Sequence, residues 1–214
     1  MTHIENIKKL FSKNFVENPL LETYEAGEIH ISSGFIVASD PLISPDHQAF
    51  QQEFPKGDFP VHIYKETESN CIAYTEIVFD KNNPADYWQL ALCEGQKLTD
   101  LKDEELYGYL VESGMGSFMD KDSQHLLNQL EKELFAQKGA DFIGIYEEFF
   151  HSHFFNENGA VDQFSVLKPY SDKKENIVAF ETGYGEGFYA TYIGYSKDNQ
   201  PVKLISEFIE IGMD

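Results

Sequence analysis

The sequence predicts an α+β fold: a single domain with a largely antiparallel β-sheet, an N-terminal helix and a central helical pair. Three observations support this prediction. The 214 residues suit one large domain with a sizeable core. Hydrophobic residues make up 42% and aromatic residues 14%, which is too apolar for a disordered chain. Strand patterns come first, helical patterns follow, and strands return, as in α+β domains. We expect this domain to span residues 1–214.

Residues 1–17 predict the N-terminal helix. Thr2 and Glu5 have the spacing of a capping box, in which each side chain satisfies a free backbone N–H at the helix start. The apolar residues then recur on one helical face: Ile4, Ile7, Phe11 and Phe15. The stretch "ENPLLE" contains Pro19 and is expected to end the helix.

We expect residues 28–119 to form the first strand-rich half. "EIHIS" and "GFIVASD" are short apolar runs separated by Ser-Ser-Gly, which predicts a hairpin. "CIAYTEIVFD" alternates apolar and polar residues over ten positions, and such alternation is typical of an antiparallel sheet with one wet face. Further strands are predicted at "VHIY", "DYWQLALC" and "YGYLVES".

Residues 120–155 predict the helical pair. Asp120 to Ser123 offers N-cap side chains, and Gly139 suits the C-terminal stop. Between them lies an apolar stripe: Leu126, Leu127, Leu130, Leu134 and Phe135. "DFIGIYEEFFHSHFF" predicts the second helix.

Residues 175–212 predict the C-terminal antiparallel strands. The strand segments are "NIVAFETG", "GFYATYIGYS" and "PVKLISEFIEI". "SKDNQ" between the last two has the composition of a hairpin turn.

The net charge is −21, from 37 acidic and 16 basic residues, and all 16 basic residues are lysines. Arginine is the preferred ligand of phosphates and base edges, so its absence argues against nucleic-acid recognition. An acidic field also repels anionic membranes. We therefore expect no nucleic-acid or membrane partner, and the charge favours a basic protein partner or bound cations. The alternative is that the charge only keeps the protein soluble.

The two cysteines do not form a C-x-x-C pair. Cys71 and Cys93 lie in apolar, strand-like surroundings, and we expect both to be reduced core residues. The first residues resemble no signal peptide, and no apolar run reaches the roughly 18 residues of a membrane span. These observations predict a cytoplasmic protein.

Two glycine-rich segments resemble each other. "ESGMGSFMD", Glu112 to Asp120, and "ETGYGEGFY", Glu181 to Tyr189, share the order Glu, Ser or Thr, Gly, large residue, Gly. They are either an internal pseudo-repeat or two similar turns. We expect turns that need glycine at these positions: Gly114, Gly116, Gly183, Gly185, Gly187 and Gly194.

Carboxylates beside these turns could bind a hard divalent cation, although no cofactor is predicted. Candidate ligands are Glu112, Asp120, Glu181 and Glu186. A metal-assisted hydrolase could use Asp40, Asp120 and Glu186 around one ion. Glu147 and His151 share a helix face, but a solvated pair is the simpler interpretation. No motif identifies a catalytic nucleophile, so the catalytic residues remain unknown.

The favoured hypothesis is a non-catalytic protein-binding module of the immunity or antitoxin kind, which neutralises a basic partner. The expected binding residues are acidic or aromatic: Glu112, Asp120, Tyr184, Glu186, Tyr189 and Tyr192. Tyrosine offers rigid, amphipathic contact area, although an aromatic strand can also serve only sheet packing. The hydrolase is the alternative, and a scaffolding subunit with a solvated acidic face is a third interpretation. The oligomeric state is open.

From about Gly34 to Ile211 the chain resembles the bacterial family called domain of unknown function 4241. The segments that carry the likeness include "GFIVASDP", "YWQLA", "YGYLVESGMGSFMD" and "TGYGEGFYATYIGY". The family pattern has a Gly-Asp-Gly turn followed by Tyr-x-x-Tyr-x-Gly, which falls here on Gly185, Glu186, Gly187, Tyr189, Tyr192 and Gly194. Glu186 replaces the usual aspartate, and Ser196 and Lys197 stand where an aspartate is common. The resemblance implies a shared fold, and it does not indicate any particular activity.

Overall fold

The computed structural model describes residues 3–13, 15–43, 46–102, 105–155 and 162–212. These residues form an N-terminal helix, a central helix pair and eleven strands, so the predicted α+β class is confirmed. The helices are α1 (His3–Phe11), α2 (Lys121–Lys138) and α3 (His151–Phe154), and a π-helical turn, Tyr146–Phe150, runs directly into α3. Single 3₁₀ turns lie at Leu98–Asp100 and Gly139–Asp141.

The strands fall into two antiparallel sheets. In chain order they are β1 (Leu21–Ile31), β2 (Ile36–Ser39), β3 (Gly57–Glu66), β4 (Ile72–Val78), β5 (Tyr87–Leu90), β6 (Tyr109–Val111), β7 (Met115–Asp120), β8 (Phe164–Leu167), β9 (Ile177–Glu181), β10 (Gly187–Tyr195) and β11 (Pro201–Glu207). The larger sheet has the order β1-β3-β4-β11-β10-β5, and β6 pairs with the first residues of β10. The smaller sheet has the order β2-β7-β9-β8.

The two sheets pack face to face around one core. Ile63 and Leu204 of the larger sheet belong to the same buried cluster as Phe118 and Phe180 of the smaller sheet. The rings of Phe118 and Phe180 meet edge to face, with centroids 5.4 Å apart. Burial of such large side chains is the main force that holds the sheets together.

Helices cover the outer face of each sheet. On the larger sheet, Phe11 of α1 packs edge-on against Tyr64 and Tyr74, with ring centroids 5.1 and 5.0 Å away. On the smaller sheet, Leu127 of α2 and Phe150 of the π-helical turn share a buried cluster with its strands. The molecule is therefore layered in the order helix, sheet, sheet, helices.

Several local predictions are confirmed. Asp120 is the N-cap of α2 and accepts a hydrogen bond from the backbone N–H of Asp122 at 2.8 Å. Gly139 is the C-cap with a φ of 56°. The hairpin at "SKDNQ" joins β10 to β11, and the backbone N–H of Ser196 donates to the carbonyl of Gln200.

Other predictions need correction. The first two strand runs do not form a hairpin, because β1 pairs with β3 in one sheet and β2 pairs with β7 in the other. Between them, the backbone N–H and hydroxyl of Ser33 bind the Asp120 carboxylate, which directs the chain across to the smaller sheet. The N-terminal helix predicted over residues 1–17 occupies His3–Phe11, and Thr2 lies outside the described residues.

None of the helices in the described part of the chain combines the length and hydropathy needed to cross a bilayer.

Candidate functional site

The two glycine-rich segments are neighbours in the structure. Met115, the first residue of β7, pairs with Glu181, the last residue of β9. Because these strands are antiparallel, the residues before β7 and the residues after β9 leave the sheet at the same edge. A Cβ atom added at Gly114 would lie 3.7 Å from the Cα of Gly185, so the two loops touch.

Thr182 fastens the two loops together. Its backbone N–H donates to the carbonyl of Gly114 at 3.1 Å. Its hydroxyl lies 3.1 Å from the same carbonyl and 2.8 Å from the carbonyl of Gly185, so it can donate to either loop. The Tyr189 hydroxyl also donates to the Gly185 carbonyl at 2.8 Å. The side chains of Thr182 and Tyr189 thus hold the loop backbone in one arrangement.

Asp40 fixes the first loop from beneath. This buried carboxylate accepts hydrogen bonds from the backbone N–H groups of Glu112 and Ser113, at 3.1 and 2.9 Å. It also accepts one from the backbone N–H of Leu42 at 3.0 Å. Three donors satisfy a buried charge that would otherwise be costly. Asp40 therefore positions the loop and does not face solvent.

The predicted turn glycines divide into two groups. Gly114, Gly183 and Gly185 lie in turns with φ values of 78°, 45° and 108°, as expected. Gly116, Gly187 and Gly194 instead lie within strands, which corrects their assignment to turns. Glycine is needed at these three positions because a side chain has no room: an added Cβ would come within 3.0 Å of a neighbouring side chain at each of them.

The joined loops form one wall of a cleft of about 740 Å³. Ser113 and Gly114 line it from the first loop, and residues 181–185 line it from the second. The other lining side chains are mainly apolar or aromatic: Leu42, Cys71, Met115, Tyr146, Phe154 and Phe155. A cleft of this size falls within the usual range of binding sites in proteins.

His151 supports two of the aromatic rings. It stacks on Phe155 with ring centroids 4.4 Å apart, and it meets Tyr146 edge to face at 5.9 Å. The imidazole of His153 instead packs against Phe149. His151, which the sequence places on one helix face with Glu147, therefore takes part in an aromatic stack. This stack fixes the ring positions on the helical side of the cleft.

Glu181 supplies a carboxylate to the cleft. Its side chain is partly buried at the end of β9, and it forms no ion pair or hydrogen bond among the described residues. Every lysine and histidine of the chain lies in the described part. None of the described side chains lining the cleft is a lysine or histidine. The local charge of the cleft is therefore negative and uncompensated.

The predicted binding residues have different environments. Tyr184 lines the cleft and is 74% exposed, as a contact residue would be. Glu112 and Glu186 are exposed on the two loops. Tyr189 is half-buried and braces the second loop, and burial raises the pKa of its hydroxyl. Tyr192 is fully buried among the residues under α1, which corrects its assignment to a binding surface.

The predicted metal ligands are not brought together. Asp120 accepts hydrogen bonds from Ser32, Ser33 and Asp122 and is buried. It pairs with Ile36 at one end of β2, whereas Asp40 follows the other end, about 13 Å further along. Glu186 lies on the exposed loop. Within the described ranges, no group of three or more His, Cys, Asp or Glu side chains could hold a metal ion.

The two cysteines are free but not equivalent. Cys93 is buried, and burial raises the pKa of its thiol. Cys71 lies just before β4 and lines the cleft, so the expectation that it is a core residue is wrong. The alternating pattern that follows it suggested a strand interior, but the strand begins one residue later, at Ile72.

Sequence patterns indicated part of this site. The likeness of the two glycine segments pointed to the loops, although it gave no sign that they touch. Thr182, Phe155 and the loop-supporting role of Asp40 were missed. Their contacts join residues far apart in sequence, such as Asp40 and Ser113, and no local spacing encodes them.

A family model described as "Protein of unknown function (DUF4241)" matches residues 29–206, which is most of the chain. No curated protein and no solved structure matches the chain.

Proposed function

The chain belongs to the DUF4241 family of proteins of unknown function, and from its cleft we propose that it is a non-catalytic protein-binding module. In this proposal it captures a basic protein partner in the bacterial cytoplasm and neutralises it, as immunity proteins and antitoxins do. The proposal rests on one observation: two braced loops form an acidic cleft with aromatic walls, and no basic side chain lines it among the described residues.

The cleft combines the two features that partner capture needs. Aromatic side chains dominate the binding energy of protein interfaces because they bury large areas with few rotatable bonds. Tyr184 and Phe155 are exposed there, at 74% and 38%. The unpaired carboxylate of Glu181 selects the charge of the partner, since a basic group loses less on desolvation when it meets an opposite charge.

The net charge of −21 adds a long-range electrostatic attraction for a basic partner. A field of this sign attracts a basic protein before contact and raises the association rate, most strongly at low ionic strength. It repels nucleic acids and anionic membranes, and the proposal includes neither as a partner.

The loops are also fixed before any partner arrives. Thr182, Tyr189 and Asp40 hold their backbone through five hydrogen bonds of 2.8–3.1 Å. A binding surface that is ordered in the free protein loses little conformational entropy on association, so more of the contact energy appears as affinity. The arrangement of the carboxylates does not support the hydrolase alternative. Asp40 and Asp120 would have to bind one ion, but they accept structural hydrogen bonds at opposite ends of β2.

The test is affinity capture from lysate of the native cell, at ionic strengths of about 0.01 M and about 1 M, where the Debye lengths are roughly 30 Å and 3 Å. We expect a basic protein to copurify in stoichiometric amount at low salt and to be lost at high salt. Its association rate, measured with the purified pair, should fall steeply between the two conditions. An association rate that salt does not change would contradict the proposal.

Two matched pairs of variants locate the surface. Tyr184→Ala and Glu181→Gln in the cleft should each weaken capture by about tenfold or more, as expected for contact residues at an interface. Ile143→Ala removes an apolar side chain of similar exposure, 73%, and Glu94→Gln removes an exposed carboxylate beyond the other end of β2. These two control variants should leave capture unchanged.

A further inference from the structure

We propose that the cleft is an anchor pocket for one arginine side chain of the partner, with Glu181 as its counter-ion. This inference rests on the proposed function and names the chemical group that the cleft recognises. It depends on three features of the described residues: aromatic walls, one unpaired carboxylate, and the absence of arginine from the chain.

The walls suit a guanidinium group. Four aromatic side chains line the cleft, and they come from both of its sides: Tyr146, Phe154, Phe155 and Tyr184. A guanidinium is planar and weakly hydrated, so it stacks on aromatic faces at a lower desolvation cost than an ammonium. The aliphatic stem of the same side chain can lie on Leu42 and Met115, which also line the cleft.

Glu181 provides the charge that such a guest needs. It ends β9 and pairs with Met115, so the strand fixes its backbone at the cleft wall. Its carboxylate has no hydrogen bond or ion pair with any residue that the structure describes. A carboxylate accepts two parallel N–H bonds from a guanidinium, which favours arginine over lysine at this position.

The guest must come from a different protein. All 16 basic residues of the chain are lysines, so a second copy cannot supply an arginine. The volume of about 740 Å³ exceeds one side chain and leaves room for the flanking backbone of a peptide segment. We therefore assign the cleft to an arginine within an exposed segment of the basic partner.

A second hollow in the molecule does not suit the same guest. It has a volume of about 630 Å³ and is lined by Asp46, Glu94, His47 and Lys121, among others. The ammonium of Lys121 lies among these lining residues and would repel a cation. This hollow provides an internal reference surface for the experiment.

The experiment titrates the purified protein with three short peptides, acetyl-Gly-Xaa-Gly-amide with arginine, lysine or citrulline at Xaa. Citrulline has nearly the shape of arginine without its charge. Backbone amide NMR shifts report the site, and a Kd of about 1 mM is sufficient for detection. We expect the arginine peptide to shift the amide signals of Gly114, Thr182 and Gly183. Its affinity should be at least about tenfold higher than that of the citrulline peptide, and higher than that of the lysine peptide.

The variant Glu181→Gln should abolish the preference of arginine over citrulline, and Glu94→Gln should retain it. A well-dispersed amide spectrum of each variant shows that it is folded. The inference is overturned if the arginine peptide leaves the cleft amides unshifted at about 10 mM, ten times that Kd. Equal affinity for citrulline, or an unchanged preference in Glu181→Gln, also overturns it.

The peptide titration separates this inference from the proposed function. Salt-sensitive capture of a basic protein that the arginine peptide does not displace would sustain the function and overturn the anchor pocket. Specific arginine-peptide binding without any basic protein in the capture experiment would sustain the pocket and contradict the function.

Discussion

Gly116 of β7 occupies a position where no side chain fits. It lies in the interior of β7 and is buried, and a Cβ atom there would sit 2.7 Å from both the ring of Phe180 and the methyl of Thr182. Contacts under 3.0 Å force neighbouring atoms to move. Phe180 belongs to the core between the sheets, and Thr182 fastens the loops, so neither side chain can shift freely.

We predict that Gly116→Ala lowers the free energy of unfolding by about 1–3 kcal/mol, the usual cost of overpacking a core. Urea denaturation at neutral pH measures this change. Gly212→Ala is the control, because an added Cβ there meets nothing within 4 Å, and it should have little effect. An equal stability of the two variants would contradict the packing argument.

The sequence indicated that glycine was needed here but not the reason for it. All six residues of β7 are buried, so the strand shows no alternation of polar and apolar residues. The segment was interpreted as a turn because Gly114 and Gly116 interrupt it. The need for space at Gly116 comes from Phe180 and Thr182, which are more than sixty residues away in sequence.

Among the secondary-structure elements, β4 and β11 share a buried ion pair. The carboxylate of Glu76 on β4 lies 2.7 Å from the Nζ of Lys203 on β11, and both side chains are almost fully buried. Glu76 also accepts hydrogen bonds from Tyr64 at 2.5 Å and His62 at 3.2 Å, both on β3. Lys203 donates to the carbonyl of Lys13 at 2.9 Å, which ties the segment after α1 to the sheet.

We predict that Glu76→Gln costs about 3–5 kcal/mol of stability, because it leaves the Lys203 ammonium buried without a counter-charge. The double variant Glu76→Gln/Lys203→Met removes both charges and should recover most of that loss. Chemical denaturation of both variants at pH 7 measures the difference. If the double variant is less stable than the single one, the explanation by an uncompensated charge is wrong.

The same pair predicts a pH dependence. Burial alone would raise the pKa of Glu76, but the hydrogen bond from His62, the charge and hydrogen bond of Lys203 and the hydrogen bond from Tyr64 outweigh it and lower the pKa below the ordinary value of 4.5. Between these two values the unfolded state binds more protons, so this contribution to stability is complete above pH 4.5 and is lost as pH falls through the folded value. The double variant should therefore lose less stability in acid than the parent protein, in melts from pH 7 to about pH 3.

Elements with local signals were predicted well. Both caps of α2 and the last hairpin depend on residues within a few positions of each other, and both predictions are confirmed. The predicted apolar face of α1 is confirmed only at Ile7 and Phe11, because Ile4 and Phe15 are exposed and Phe15 lies beyond the end of the helix. The strand β8 was missed because it has four residues and no clear alternation. The prediction of a first hairpin was wrong because the carboxylate of Asp120, which is distant in sequence, binds Ser33 in the segment that was predicted to be its turn.

At the scale of the whole molecule, the layered order explains where the cleft lies. In the smaller sheet, β9 ends at Glu181 and β7 begins beside it at Met115. The central helices cover the outer face of that sheet. The cleft forms where this strand edge meets the side chains Phe154 and Phe155. The division of the strands between two sheets was not predicted, because the pairing partners lie far apart in sequence and periodicity does not identify them.

The two native thiols differ in their accessibility to a chemical reagent. Cys71 lines the cleft, whereas Cys93 is buried and carries a raised pKa, so a thiol reagent should modify Cys71 first. A bound partner that fills the cleft should slow the modification of Cys71 and leave Cys93 unaffected, which intact-mass spectrometry can follow over time. Occupancy of the cleft can thus be read by footprinting the unaltered protein.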